Sequence, residues 1–153
     1  MIVVQECVLS RHMRRRYRMA AILSRWHGFL YRLLNGRLVA HYANADFLLL
    51  TTMGRLSRRR RTVALLYVTN QGNPAVIASF GGNSMAPAWL LNIRDEPSVK
   101  VQIGGDRWGG SARIASHEER EALWPKFVTV FSGYEKYQSK TSRIFPVVII
   151  TPD

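Results

Sequence analysis

The sequence predicts an α+β fold in which antiparallel strands carry most of the structure. Three apolar runs of strand length follow one another: Phe47-Leu48-Leu49-Leu50-Thr51-Thr52, Val63-Ala64-Leu65-Leu66-Tyr67-Val68 and Ala75-Val76-Ile77-Ala78-Ser79. The connectors between them are too short for parallel crossovers, so the runs form a meander. Other segments carry helical rather than alternating periodicity and open on helix-start residues, which places helices around the sheet.

At 153 residues and 47% hydrophobic content, one domain with a real core is expected. The net charge of +12 is uneven: through Arg61 there are 13 basic and 2 acidic residues, and after it 9 and 8. Such asymmetry points to an anionic partner on one side: a phosphorylated cofactor, acidic lipid headgroups or nucleic acid. The single Cys7 excludes an intrachain disulfide and a multi-cysteine zinc site, and His27 and His41 have no partner at metal-ligand spacing. No metal is expected. No apolar run reaches transmembrane length, and Ile2-Val3-Val4 is too short for a signal sequence, so a cytoplasmic protein is expected.

Residues 1–13 lack periodicity and are expected to be disordered. Over 14–36 the spacing predicts a basic amphipathic helix. Met19, Ile22, Leu23, Trp26, Leu30 and Leu33 form one stripe, Arg11, Arg18, Arg25 and Arg32 recur every seven residues, and Gly36 supplies the stop. Such a helix can pack on its own domain with its arginines in water, the preferred reading, or lie peripherally on the inner face of an anionic membrane. Residues 37–153 form the strand-rich remainder of the single domain.

Between the first two strands lies Gly54-Arg55-Leu56-Ser57-Arg58-Arg59-Arg60-Arg61-Thr62. Guanidinium forks and backbone N–H groups on a rigid support suit a phosphate or carboxylate, although a solvated basic hairpin tip has the same composition. Asn70-Gln71-Gly72-Asn73-Pro74 is turn chemistry. The third strand runs into Phe80-Gly81-Gly82-Asn83, where two glycines permit close approach to a ligand. A helix is expected from about Ala86 to Arg94, capped by Asn83 or Ser84, with Pro87 near its first position. Its N-terminus is a second anion-friendly feature. Residues 99–103 and 108–115 read as a hairpin around Gly104-Gly105-Asp106. Ser116-His117-Glu118-Glu119 is a capping box for a helix toward Val130, which Gly133 is expected to break. A short helical turn then carries Tyr134 and Tyr137, and 146–151 is a last strand.

The series Leu-Leu-Leu-Thr-Thr-Met-Gly-Arg-Leu-Ser over 48–57, Arg61-Thr62, Ala78-Ser79-Phe80-Gly81-Gly82-Asn83 and Pro87-Ala88-Trp89-Leu90-Leu91-Asn92 resembles the deazaflavin-dependent nitroreductase family, which uses coenzyme F-420. The likeness continues through Leu123-Trp124-Pro125, Tyr134-Glu135-Lys136-Tyr137-Gln138 and Ile144-Phe145-Pro146-Val147-Val148, and covers about residues 29–152. It implies a split β-barrel similar to that of FMN-binding oxidoreductases. It also implies hydride transfer from reduced F-420 (an 8-hydroxy-5-deazaflavin, preferred over FMN) to an electron-poor quinone, enone or nitroaromatic. By the same resemblance Arg55, Ser57, Arg58, Arg61 and Thr62 would hold the phosphate and acidic tail. Ala78, Ser79, Phe80, Gly81, Gly82, Pro87, Ala88 and Trp89 would line the ring, with Asn92 close by. Tyr134 and Tyr137 would orient substrate or donate a proton, with Phe131 where a third tyrosine is often found.

The chain departs from the family pattern at Leu56, Arg58, Arg60 and Phe80. Leu56 and Phe80 replace cations, Arg60 a proline, and Arg58 a glycine whose positive φ an arginine is expected to resist. These changes bear on cofactor choice. Two other readings compete with the enzyme: a non-catalytic F-420 or flavin carrier, and a nucleic-acid-binding protein. Nucleic acid is disfavoured because the aromatics are not interleaved with the basic residues. Either a monomer or a homodimer is compatible with the sequence.

Overall fold

A computed structural model describes residues 41–42 and 45–153. The tail over 1–13 and the helix expected over 14–36 lie outside the described residues. Seven strands follow in chain order: β1 (His41–Tyr42), β2 (Ala45–Met53), β3 (Arg60–Asn70), β4 (Asn73–Ile77), β5 (Ser98–Ile103), β6 (Asp106–Ile114) and β7 (Val147–Pro152). Three helices accompany them: α1 (Ala88–Asp95), α2 (His117–Val130) and α3 (Gly133–Gln138). The spatial order is β1-β2-β3-β4-β7-β6-β5, every pair is antiparallel, and β5 returns to pair with β2. Strands β2 to β7 thus close into a six-stranded barrel, as the split-barrel resemblance implies. Thr51 marks the closure, facing Thr62 on one side and Lys100 on the other.

Alternation along the strands explains the two cores. Leu48 and Leu50, Val99 and Val101, and Val148 and Ile150 point into the barrel, where Leu90 and Ile93 of α1 plug one end. Ala75, Ile77, Val147 and Ile149 point the other way, onto Leu123 and Phe127 of α2 and onto Phe145. Strands β4 and β7 are therefore covered on both faces, so they read as unbroken apolar runs. The second run of the meander is less buried than the first and third. Residues 63–67 of β3 are only half-buried, because one face of the strand is the floor of a groove.

The β3–β4 turn places Gln71 (φ 50°) and Gly72 (φ 82°) in the left-handed region, the two-residue turn that matches strand twist. The capping box forms: Ser116 Oγ accepts from the Glu119 N–H at 3.2 Å, and Glu119 accepts from the Ser116 N–H at 2.8 Å. Arg113 of β6 grips the same carboxylate with two hydrogen bonds of 2.7 and 2.6 Å. Chiefly that grip, helped by the Ser116 N–H, holds the Glu119 carboxyl at about 2.

Two expected boundaries are corrected. Gly133 does not break α2; the chain leaves the helix at Phe131 and Ser132, and Gly133 opens α3. A Cβ there would lie 2.3 Å from the Phe131 ring, so the glycine makes room for an aromatic rather than for a helix end. Pro87, not Asn83 or Ser84, occupies the N-cap position of α1, which has no side-chain cap, and Asn83 Oδ1 instead accepts from the Met85 N–H at 2.8 Å. Among the described residues no helix is long and apolar enough to cross a membrane.

Candidate active site

The Arg-rich connector between β2 and β3 is a compact loop rather than a loose tip. Gly54 N–H donates to the Arg59 carbonyl at 2.9 Å and Arg58 N–H to the Gly54 carbonyl at 2.7 Å. A side chain at Gly54 would meet Ser57 Oγ at 2.7 Å, which explains the glycine there. At its foot the loop is pinned by buried Asn92: the Arg55 N–H donates to Asn92 Oδ1 at 3.1 Å, and Asn92 Nδ2 donates to Thr52 Oγ1 at 3.0 Å. Arg61 donates to Ser57 Oγ at 3.3 Å, bringing a guanidinium and a hydroxyl together. Thr62 bonds its hydroxyl to that of Thr51 at 2.8 Å. Among the described residues neither Arg55 nor Arg61 meets a carboxylate.

Arg58 adopts φ 49°, contrary to the expected resistance. A left-handed arginine costs on the order of 1–2 kcal/mol. The Gly54 carbonyl offsets part of this, and the guanidinium reaches Asp95 at 3.4 Å.

At the other end, 79–83 forms a tight turn with Phe80, Gly81 and Gly82 at φ 49°, 65° and 82°. Gly82 is fixed by space as well: a Cβ would sit 2.7 Å from the Tyr137 carbonyl oxygen of α3. Buried Trp89, on the first turn of α1, forms one wall. Phe131, Tyr134 and Tyr137 form another, with Phe131 and Tyr134 edge-to-face at 5.2 Å between centroids and the two tyrosines at 6.3 Å. Burial pushes the Tyr134 phenol above its ordinary value, the neighbouring Tyr137 adding to it.

A groove of about 1210 Å³ joins the two ends, bordered by half-buried Val63, Ala64, Leu65 and Leu66. It exceeds the roughly 300–1,000 Å³ of an ordinary small-molecule site, enough for two ligands at once. Among the described residues no aspartate or glutamate lines it. Of the residues singled out by sequence, Arg55, Ser57, Arg61, Thr62, Ser79, Phe80, Gly81, Gly82, Pro87, Ala88, Trp89, Asn92, Tyr134 and Tyr137 all line the groove. Two do not. Ala78 points into the barrel, fully buried, and Arg58 turns toward Asp95. Asn92 borders the groove with both ends of its amide committed to Thr52 and Arg55.

Sequence reasoning missed Arg143, whose guanidinium bonds the carbonyls of Ala78, Ser79 and Asn83. No motif flags a cation 60 residues downstream. Among the described residues no cluster of three His, Cys, Asp or Glu side chains could hold a metal ion.

A family model for F420H(2)-dependent quinone reductases matches residues 23–152. The chain belongs to that family. An F420H(2)-dependent quinone reductase of Mycobacterium tuberculosis is 34% identical over 133 residues, covering 84% of this chain and 89% of its own. Among solved structures, one described as an F420-H2 dependent reductase is 38% identical over 69% of this chain and 93% of its own, with a TM-score of 0.63. Another, described as a domain-swapped dimer, is 32% identical over 93% of this chain and all of its own, with a TM-score of 0.66. The haem storage protein HutZ of Vibrio cholerae, at 15% identity and TM-score 0.53, shares the fold alone. Membership in an F-420-dependent oxidoreductase family agrees with the cofactor and the hydride chemistry that the motifs imply, and leaves the carrier and nucleic-acid readings without support.

Proposed function

We propose that this quinone reductase family member holds reduced F-420 and a quinone side by side in the groove. The observation that carries this reading is the groove's polarity: arginines that meet no carboxylate among the described residues at one end, glycine backbone and aromatic walls at the other. F-420 is a long polyanion with an apolar tricyclic head, so the residues present fit it. When bound, the cofactor supplies a hydride; the protein supplies position and a dry pocket. Arg61 with Ser57, and Arg55 held by Asn92, take the phosphate end. Ser79, Gly81, Gly82 and Trp89 enclose the ring. Buried Tyr134 donates a hydrogen bond to a quinone oxygen, and half-exposed Tyr137 completes that wall.

Purified protein is titrated with F-420, FMN and NADPH and followed by optical difference spectra, then mixed anaerobically with reduced F-420 and menadione. Binding of F-420 alone, with its oxidation by menadione, is expected; preference for FMN would defeat the reading. Tyr134→Phe and Tyr137→Phe should each lower turnover about a hundredfold, the low end of what a positioned proton donor contributes, while F-420 binding holds. Turnover unchanged in both would assign the pair to packing.

The strand-rich part over 37–153 serves as the cofactor domain, with the basic segment over 14–36 resting on it or on anionic membrane. Vesicles containing phosphatidylserine, but not neutral ones, should retain the protein and release it in high salt if the second placement holds. The domain-swapped relative favours a homodimer, which light scattering tests directly.

A further inference from the structure

Arg143 lies in the connection between α3 and β7, outside the groove, yet it spends all three guanidinium nitrogens on the groove's back wall. Nη1 donates to the Ala78 carbonyl at 2.9 Å, Nη2 to the Ser79 carbonyl at 2.9 Å and Nε to the Asn83 carbonyl at 3.1 Å. Its face rests on the Phe145 ring at 4.8 Å. No carboxylate meets it among the described residues. A cation bound only to carbonyls is therefore half-buried behind the turn.

The peptide geometry shows where that charge acts. The Ala78 carbonyl and the Ser79 N–H belong to one trans peptide, and the Ser79 carbonyl and the Phe80 N–H to the next. With both carbonyls turned to Arg143, both N–H groups point away from it, and Ser79 and Phe80 both line the groove. Ser79 is right-handed (φ −73°, ψ −38°) and Phe80 left-handed (φ 49°). Successive N–H groups on such a pair form a concavity that favours negative charge.

We propose that Arg143 is a positioning residue that clamps the 78–83 turn into its left-handed shape and relays positive charge through two peptide units onto the ring of bound F-420. This rests on the reading that the groove holds F-420. The ring hydroxyl of an 8-hydroxy-5-deazaflavin is a vinylogous acid, and its anion spreads across the conjugated rings. Charge delivered at the turn therefore favours the anion. Among the described residues the other ionisable groups bordering the groove are Arg55 and Arg61 at the far end and Tyr134 and Tyr137, with Lys140 over the Tyr137 ring at 5.4 Å, and no carboxylate lines it.

The test compares wild type with Arg143→Gln and Arg143→Lys. Three things are measured: F-420 affinity, the pH midpoint of the bound oxidised cofactor's absorbance, and amide exchange of 79–83 without ligand. Arg143→Gln should bind about tenfold more weakly, since a charge-assisted anchor is lost, with its midpoint displaced upward and exchange of 79–83 faster. Arg143→Lys, a point charge without the fork, should keep the midpoint nearer wild type and still exchange fast. A midpoint unmoved in Arg143→Gln overturns the proposal, and so does wild-type exchange in 79–83. Should Arg143→Gln fail to fold, wild-type exchange in Arg143→Lys overturns it equally. Wild type that does not bind F-420 sinks the cofactor reading, while the exchange measurement still decides the clamp.

Discussion

In the 54–59 loop Arg55, Leu56, Ser57, Arg58 and Arg59 all meet solvent, whereas in the 78–83 turn Ala78, Ser79 and Gly82 are buried. The loop offers its ligands from side chains and is held at its foot by Gly54 and Asn92, with exposed contacts from Arg58 to Asp95 and from Arg61 to Ser57. The turn offers backbone, and it is held from behind by Arg143 and by the close approach of Tyr137 to Gly82. Exposed charges are individually weak, screened by salt and partly interchangeable. That explains how the loop tolerates Leu56, Arg58 and Arg60 in place of the family's usual residues. In the turn the same latitude exists only at the exposed positions, where Phe80 replaces a family cation and Gly81 has open space, whereas buried Gly82 has no spare volume.

The sharpest break in this comparison is at the glycines. Gly82→Ala combines a left-handed φ with a Cβ 2.7 Å from a backbone oxygen, and should cost about 3 kcal/mol of stability in denaturant melts. Gly81→Ala has the same kind of φ but open space, and should cost about 1 kcal/mol. Equal losses would mean that conformation alone, and not the packing of α3, holds the turn.

Within the loop, Arg61→Ala should weaken F-420 about ten- to hundredfold, the span of one charge-assisted contact, and Arg59→Ala far less. Arg61 lies inside β3 opposite Thr52 with Ser57 at its tip, so its fork is better preorganised than that of Arg59. If both variants lose affinity alike and both losses vanish in salt, the loop is a diffuse positive field and the specific phosphate site is wrong.

Asn92→Ala tests the loop's one buried tether. It strips partners from the Arg55 N–H and Thr52 Oγ1 and should cost about 1–2 kcal/mol, with a smaller loss of F-420 affinity than Arg61→Ala. A larger affinity loss than that of Arg61→Ala would make Asn92 a direct ligand.

The smallest effect should come from Glu119, remote from both loops. Its carboxyl is depressed to about 2, so the stability it contributes is complete above the ordinary carboxylate range and is lost as pH falls toward 2. Because the pair is solvent-exposed, the pH-dependent difference between wild type and Glu119→Gln should be slight. A large acid-sensitive difference would show that Arg113 and Glu119 couple β6 to α2 more strongly than a surface pair can.

Much of the site was legible because its pieces are local. Arg55, Ser57 and Arg61 share one hairpin, and Ser79, Gly81, Gly82 and Trp89 fall in one short segment, so order along the chain already groups them. What escaped was non-local or orientational. Arg143 reaches its carbonyls from more than 60 residues away. Whether Arg58 faces the groove or Asp95 depends on a helix that the loop meets only after folding.

By itself the sequence determined the antiparallel strands and the capping box at Ser116 and Glu119, which follow from side-chain periodicity and from hydrogen bonds spanning a few residues. That its arginines and glycines suit an anionic, flat-headed ligand is what the family resemblance implies. Only the tertiary structure decided that β2 pairs with β5 to close the barrel, that one face of β3 becomes a groove floor, and that Tyr134 is buried while Tyr137 is half-exposed. Each of those depends on contacts between segments far apart in the chain, whose geometry no local pattern encodes.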